Sequence, residues 1–158
     1  MARVDIHNLS EFNKKMRFLS ALWALPFLLA TAEAATETVT TQQATVSLIS
    51  EREAVSPGEM MKLGIYFQIK PEWHIYWKNP GDSGLPPRVE MSSDPEGSEF
   101  SDLIFPRPER IPFKTQMNFG YEREALLFID WKVPESATPG SSITVDAKLK
   151  WLICKEEC

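Results

Sequence analysis

Two stretches of period-two alternation constrain this chain more than any other feature. Leu63, Ile65, Phe67 and Ile69 alternate with Lys62, Gly64, Tyr66 and Gln68. Further on, Ile143, Val145, Ala147, Leu149, Trp151 and Ile153 alternate with Thr144, Asp146, Lys148, Lys150, Leu152 and Cys154. Successive side chains of a strand point to opposite faces, so this spacing predicts strands with one buried face. A surface helix needs apolar residues three and four apart, and no convincing run of that kind follows residue 34. The turns are equally local. Ser56-Pro57-Gly58-Glu59 and Thr138-Pro139-Gly140-Ser141 pair a proline that fixes φ with a glycine that accepts positive φ. Further strands are expected around Val46 and Leu48, from His74 to Lys78, at Val89 and Met91, and from Glu124 to Val133. Asn79 to Pro87 reads as a loop. Residues 93–120 read as Pro-rich loops around short strands such as Leu103-Ile104-Phe105. Six or seven short strands predict an all-β fold, an immunoglobulin-like β-sandwich. The last strand runs to the chain end with no closing turn or partner, so the sandwich is expected to be incomplete at its C-terminus.

The segment before this pattern has a different character. Lys14, Lys15 and Arg17 precede a short apolar run from Phe18 to Ala30, and Ala32-Glu33-Ala34 offers small residues at a cleavage site. That run is too short to span ~30 Å of hydrocarbon as a helix, and Pro26 interrupts it. Residues 1–34 are therefore expected to be a signal peptide, 35–44 a flexible Thr-rich lead-in, and 45–158 the folded domain. Without residues 1–34 the chain carries 13 Lys and Arg against 19 Asp and Glu, a net charge of −6. Nucleic-acid binding depends on cations that neutralise phosphate, so this balance argues against it. Export also implies an oxidising compartment, the periplasm in a bacterium.

The only two cysteines lie in the last five residues, in Trp151-Leu152-Ile153-Cys154-Lys155-Glu156-Glu157-Cys158. Three chemistries fit a lone close pair: a redox centre, a structural staple and half of a metal site. As a staple it gains little, since closing so short a loop gives roughly 2 kcal/mol in the chain-entropy model. If Ile143 to Ile153 face the core, Cys154 falls on the opposite face with Lys148 and Lys150, near solvent. Lys150 and Lys155 favour a thiolate, whereas Glu156 and Glu157 oppose it. A metal reading could recruit Cys154, Cys158 and His74 around Cu(I), making the chain a copper-handling binding module. No Gly-x-Ser-x-Gly or phosphate-binding loop is present, and no cofactor is implied.

Three motifs in order carry a family likeness. The first is Pro71-Glu72-Trp73-His74-Ile75-Tyr76-Trp77-Lys78-Asn79-Pro80-Gly81-Asp82-Ser83-Gly84-Leu85-Pro86-Pro87. The second is Pro106-Arg107-Pro108-Glu109-Arg110-Ile111-Pro112-Phe113, followed by Asn118-Phe119-Gly120-Tyr121-Glu122. The third is the cysteine motif itself. From about residue 45 onward the chain resembles the N-terminal periplasmic domain of the thiol:disulfide interchange protein DsbD family, in its ScsB-like branch, which is associated with copper tolerance. The resemblance implies a protein-disulfide reductase domain of immunoglobulin-like fold, with Cys154 and Cys158 as its redox-active disulfide. It implies a thioredoxin-like domain as electron donor, itself fed by a membrane domain not contained in this sequence. Disulfide isomerases, cytochrome c maturation factors and other thioredoxin-like proteins are the implied acceptors. It favours Cys158 as the attacking sulfur and Cys154 as the resolving one. It also implies a shielding aromatic, for which Phe113, Phe119 and Tyr121 are candidates. The wider cysteine spacing of the DsbD branch is a departure that bears on this cap.

Overall fold

The computed structural model describes the backbone of residues 2–7 and all of residues 38–156. The described residues form strands, turns and loops without helices. The strands are β1 (Ala2–His7), β2 (Thr38–Thr40), β3 (Ala44–Ser50), β4 (Met60–Ile69), β5 (His74–Gly81), β6 (Arg88–Asp94), β7 (Glu99–Phe100), β8 (Glu109–Phe113), β9 (Gln116–Glu122), β10 (Glu124–Lys132), β11 (Ser142–Lys150) and β12 (Ile153–Cys154). They make three antiparallel sheets, in the orders β1-β11-β6, β2-β3-β4-β10-β7 and β12-β5-β9-β8.

The alternating residues do what their spacing demands. Leu63, Ile65 and Phe67 of β4, Leu127, Ile129 and Trp131 of β10, and Ile143 and Val145 of β11 are buried in one cluster. Ile75 and Tyr121 join that cluster from the third sheet, so all three sheets share one core in a sandwich-like arrangement. Trp131 is fully buried; its indole N–H donates to Ser98 Oγ at 2.8 Å, which removes the cost of burying that donor.

The structure departs from the sequence reading in four places. Residues 38–44 are not a loose lead-in: Thr38 to Thr40 pair with Thr45 to Ser47, and Thr41 closes the hairpin by accepting from the Gln43 and Ala44 amides. β-branched threonines suit a pleated strand as well as a linker. β5 continues through a bulge between Tyr76 and Gly81, into the segment read as loop. Residues 109–122 form a regular hairpin of β8 and β9, whereas Leu103-Ile104-Phe105 contributes only an isolated bridge from Ile104 to Phe128. β9 does alternate in sequence, with Met117, Phe119 and Tyr121 against Gln116, Asn118, Gly120 and Glu122, although Asn118 and Gly120 are buried as well.

The fourth departure matters most for function. The alternation from Ile143 to Cys154 is not one strand. β11 ends at Lys150, Trp151 and Leu152 are irregular, and Ile153 and Cys154 enter a different sheet beside β5. Ile153 and Cys154 therefore have a partner strand; Ile153 still packs against the common core and Cys154 still lies on the other face, but in a different sheet from Lys148 and Lys150. The expected leader contributes β1, which pairs with residues 142–147 of β11, while residues 8–37 lie outside the described residues.

Candidate functional site

Cys154 is buried, with 2% of its surface exposed, and does not occupy the near-solvent position expected for it. It is disulfide-bonded. Cys158 lies outside the described residues.

The sheet register specifies what surrounds Cys154. Across β12 and β5, Cys154 stands opposite His74, and Ile153 opposite Ile75. Across β5 and β9, His74 stands opposite Glu122, Ile75 opposite Tyr121, and Tyr76 opposite Gly120. Directly opposed residues share a face of the sheet, and chain neighbours do not. One face therefore carries Ile153, Ile75 and Tyr121 into the common core. The other carries Cys154, His74, Glu122 and Tyr76. This second face has its own buried set: Cys154, His74, Tyr76, Ile111 and Asn118 are all buried, yet none belongs to the main core cluster.

His74 is 2% exposed, and its Nε2 lies 3.2 Å from the Tyr76 hydroxyl. The two rings meet edge to face at 5.0 Å. Burial holds the His74 imidazole below its ordinary pKa, and the Glu122 carboxylate pulls partly in the other direction. Burial pushes the Tyr76 phenol up, with a hydrogen bond from Ser83 opposing it. Desolvation therefore keeps the ring neutral, and a carboxylate is placed to stabilise its cation.

The segment read as the loop of the first motif covers this face. The Ser83 amide donates to Asn118 Oδ1 at 3.0 Å, and Asn118 Nδ2 donates to Ser83 Oγ at 3.0 Å. The Met117 amide donates to Asp82 Oδ2 at 2.7 Å. Gly84 lies against the Tyr76 ring so closely that a Cβ there would overlap it. Glycine at 120 serves a similar purpose, since a Cβ would strike the Ile75 carbonyl and force β5 from β9. On the far side, Lys155 Nζ pairs with Glu72 Oε2 at 3.0 Å, tying the cysteine loop to the turn that opens β5.

The aromatic candidates separate by face. Tyr121 is a core residue whose hydroxyl donates to the Pro106 carbonyl at 2.8 Å. Phe119 shares the Tyr121 face and packs edge-on to Trp77 at 6.5 Å. Phe113, opposite Gln116, shares the face of Cys154. It stands six residues along β9 from Glu122, about 20 Å at strand spacing. The residues nearest Cys154 on its own face are instead His74, Tyr76 and Glu122. Of these, sequence reasoning had singled out only His74. The available signal was the alternation of His74 and Tyr76 with Ile75 and Trp77. Among the described residues no group of three or more His, Cys, Asp and Glu side chains is arranged to hold a metal.

The family model for the N-terminal domain of the thiol:disulfide interchange protein DsbD matches residues 45–158, nearly the whole described fold and the cysteine motif. The chain belongs to this family. The DsbD-type fold has a solved counterpart in the crystal structure of the N-terminal periplasmic domain of ScsB from Proteus mirabilis. That structure is 22% identical, with a TM-score of 0.57 over 77% of this chain and 45% of that one. The chain thus spans less than half of the ScsB structure, and at this identity the likeness establishes the immunoglobulin-like sandwich fold alone. Among curated proteins none matches the chain.

Proposed function

We propose that this chain is a periplasmic thiol:disulfide interchange domain that reduces oxidised partners through Cys154 and Cys158. The observation that carries the reading is the family match, which runs through the cysteine motif to residue 158. The disulfide at Cys154 supports it, because the chain holds only one other cysteine. In the reaction, one thiolate attacks a sulfur of the partner disulfide and forms a mixed disulfide. The second thiolate attacks the domain's own sulfur in that bond and releases the partner as a dithiol. Two electrons and two protons pass to the partner, and the domain is left as the disulfide. A thioredoxin-like domain then restores the dithiol by the reverse exchange. The burial of Cys154 favours Cys158 as the attacking sulfur and Cys154 as the resolving one. Residues 1–34 act as the export signal in this reading, and acceptors are thioredoxin-like periplasmic proteins.

Single cysteine variants test the assignment. Cys154→Ser should trap a mixed disulfide with a thioredoxin-like partner, visible on a non-reducing gel, and Cys158→Ser should not. If neither variant traps a partner and the reduced chain is not oxidised by glutathione disulfide, the reading fails. Stoichiometric Cu(I) binding by the reduced chain, with no disulfide exchange, would establish a copper-binding module instead.

A further inference from the structure

We infer that His74 sets the protonation state of Cys154, taking the proton that this cysteine sheds when it resolves the mixed disulfide; the role rests on the redox reading above. Cys154 and His74 are directly opposed across an antiparallel pair, which places their Cβ atoms about 4.5–5.5 Å apart on one face. Each is 2% exposed, so bulk water is a poor acceptor for the thiol proton. Burial disfavours a thiolate, which makes a neighbouring proton acceptor valuable.

The groups around His74 suit that task. On its own strand, Tyr76 meets Nε2 at 3.2 Å and fixes the ring. From β9, Glu122 stands opposite His74, on the side away from Cys154. From β8, Glu109 stands one row further along, opposite Gly120. From β12, Lys155 follows Cys154 but is paired with Glu72. The resting imidazole is neutral because burial disfavours its cation, so it can accept a proton. Once it does, Glu122 faces the imidazolium that forms.

The step balances. The proton leaves Cys154 Sγ for the imidazole. The Cys154 sulfur then bonds to Cys158 Sγ, and the bond from Cys158 to the partner breaks. Its electron pair leaves on the partner sulfur, which takes a proton from solvent, and the imidazolium later returns its own to solvent. His74 acts here as the general base for the resolving thiol.

The test uses the full 158-residue chain carrying Cys158→Ser, so that Cys154 is the sole thiol. Iodoacetamide alkylation is followed from neutral pH to the alkaline plateau. The neutral rate is divided by the plateau rate to cancel differences in access. His74→Gln should lower that ratio about tenfold, equivalent to raising the thiol pKa by about one unit. Glu122→Gln, at an exposed position, should lower it about twofold to threefold and serves if His74→Gln does not fold. An unchanged ratio in folded His74→Gln overturns the inference. If that variant is unfolded, an unchanged ratio in Glu122→Gln does so. Failure of the wild-type dithiol to exchange with glutathione disulfide would sink the redox reading separately, since the alkylation ratio needs no exchange.

Discussion

His74 stores a pH dependence that belongs to the single residue. Its folded pKa lies below the unfolded value of about 6.5, so the unfolded chain binds the proton more readily. The stability gained from the neutral buried ring is complete above that value and is lost as pH falls through it toward the folded pKa. Urea midpoints should therefore drop between neutral and mildly acid pH, and drop less in His74→Gln. Two neighbours make sharper stability predictions. Gly84→Ala adds a methyl where the Tyr76 ring already sits, at a backbone φ of +88°. It should cost about 1–3 kcal/mol, read by urea denaturation. Asn118→Ala leaves the Ser83 amide without its acceptor beneath the loop and should cost about 1–3 kcal/mol. Because Asn118 lies on the face of Cys154, the same variant should also speed alkylation of that thiol.

At the scale of elements, β12 illustrates what period two can and cannot reveal. Alternation located β4 and β11, because each buries one face against the common core. β9 carries the same alternation, with Met117, Phe119 and Tyr121 against Gln116, Asn118, Gly120 and Glu122, but it lies at the end of a Pro-rich stretch that reads as loops. At Cys154 alternation gave the right face but neither the sheet nor the burial, because it carries no mark of the point where a chain leaves one sheet for another. Trp151 and Leu152 look like further members of the β11 pattern, yet both are half-buried and lie between strands. The cysteine motif was legible as chemistry; its neighbours were not, since the sheet order β12-β5-β9 joins residues far apart in sequence. An element-level prediction follows from the short loop that the two cysteines would close. Reduction should destabilise the chain by only roughly 2 kcal/mol, the chain-entropy value for such a loop, and leave its circular dichroism unchanged.

In the whole molecule, the shared core lies apart from the sheet face that carries Cys154. Export with removal of residues 1–34 would take β1 with it, but β11 keeps its full pairing with β6 from Thr144 to Lys150. A chain beginning at Ala35 should therefore fold, losing hydrogen-exchange protection mainly at β11 amides directed toward β1. The same measurement should find β12 among the fastest-exchanging strands, because it is two residues long and pairs only with β5. The break at Trp151 and Leu152 then has a consequence for evolution and engineering alike. β12 gives the common core only the partly buried Ile153, so its opening should cost little thermal stability, and thermal robustness and the exposure of Cys154 can be tuned by separate substitutions. A lineage adapting to heat could strengthen β4 and β10 while leaving the exposure of Cys154 to β12.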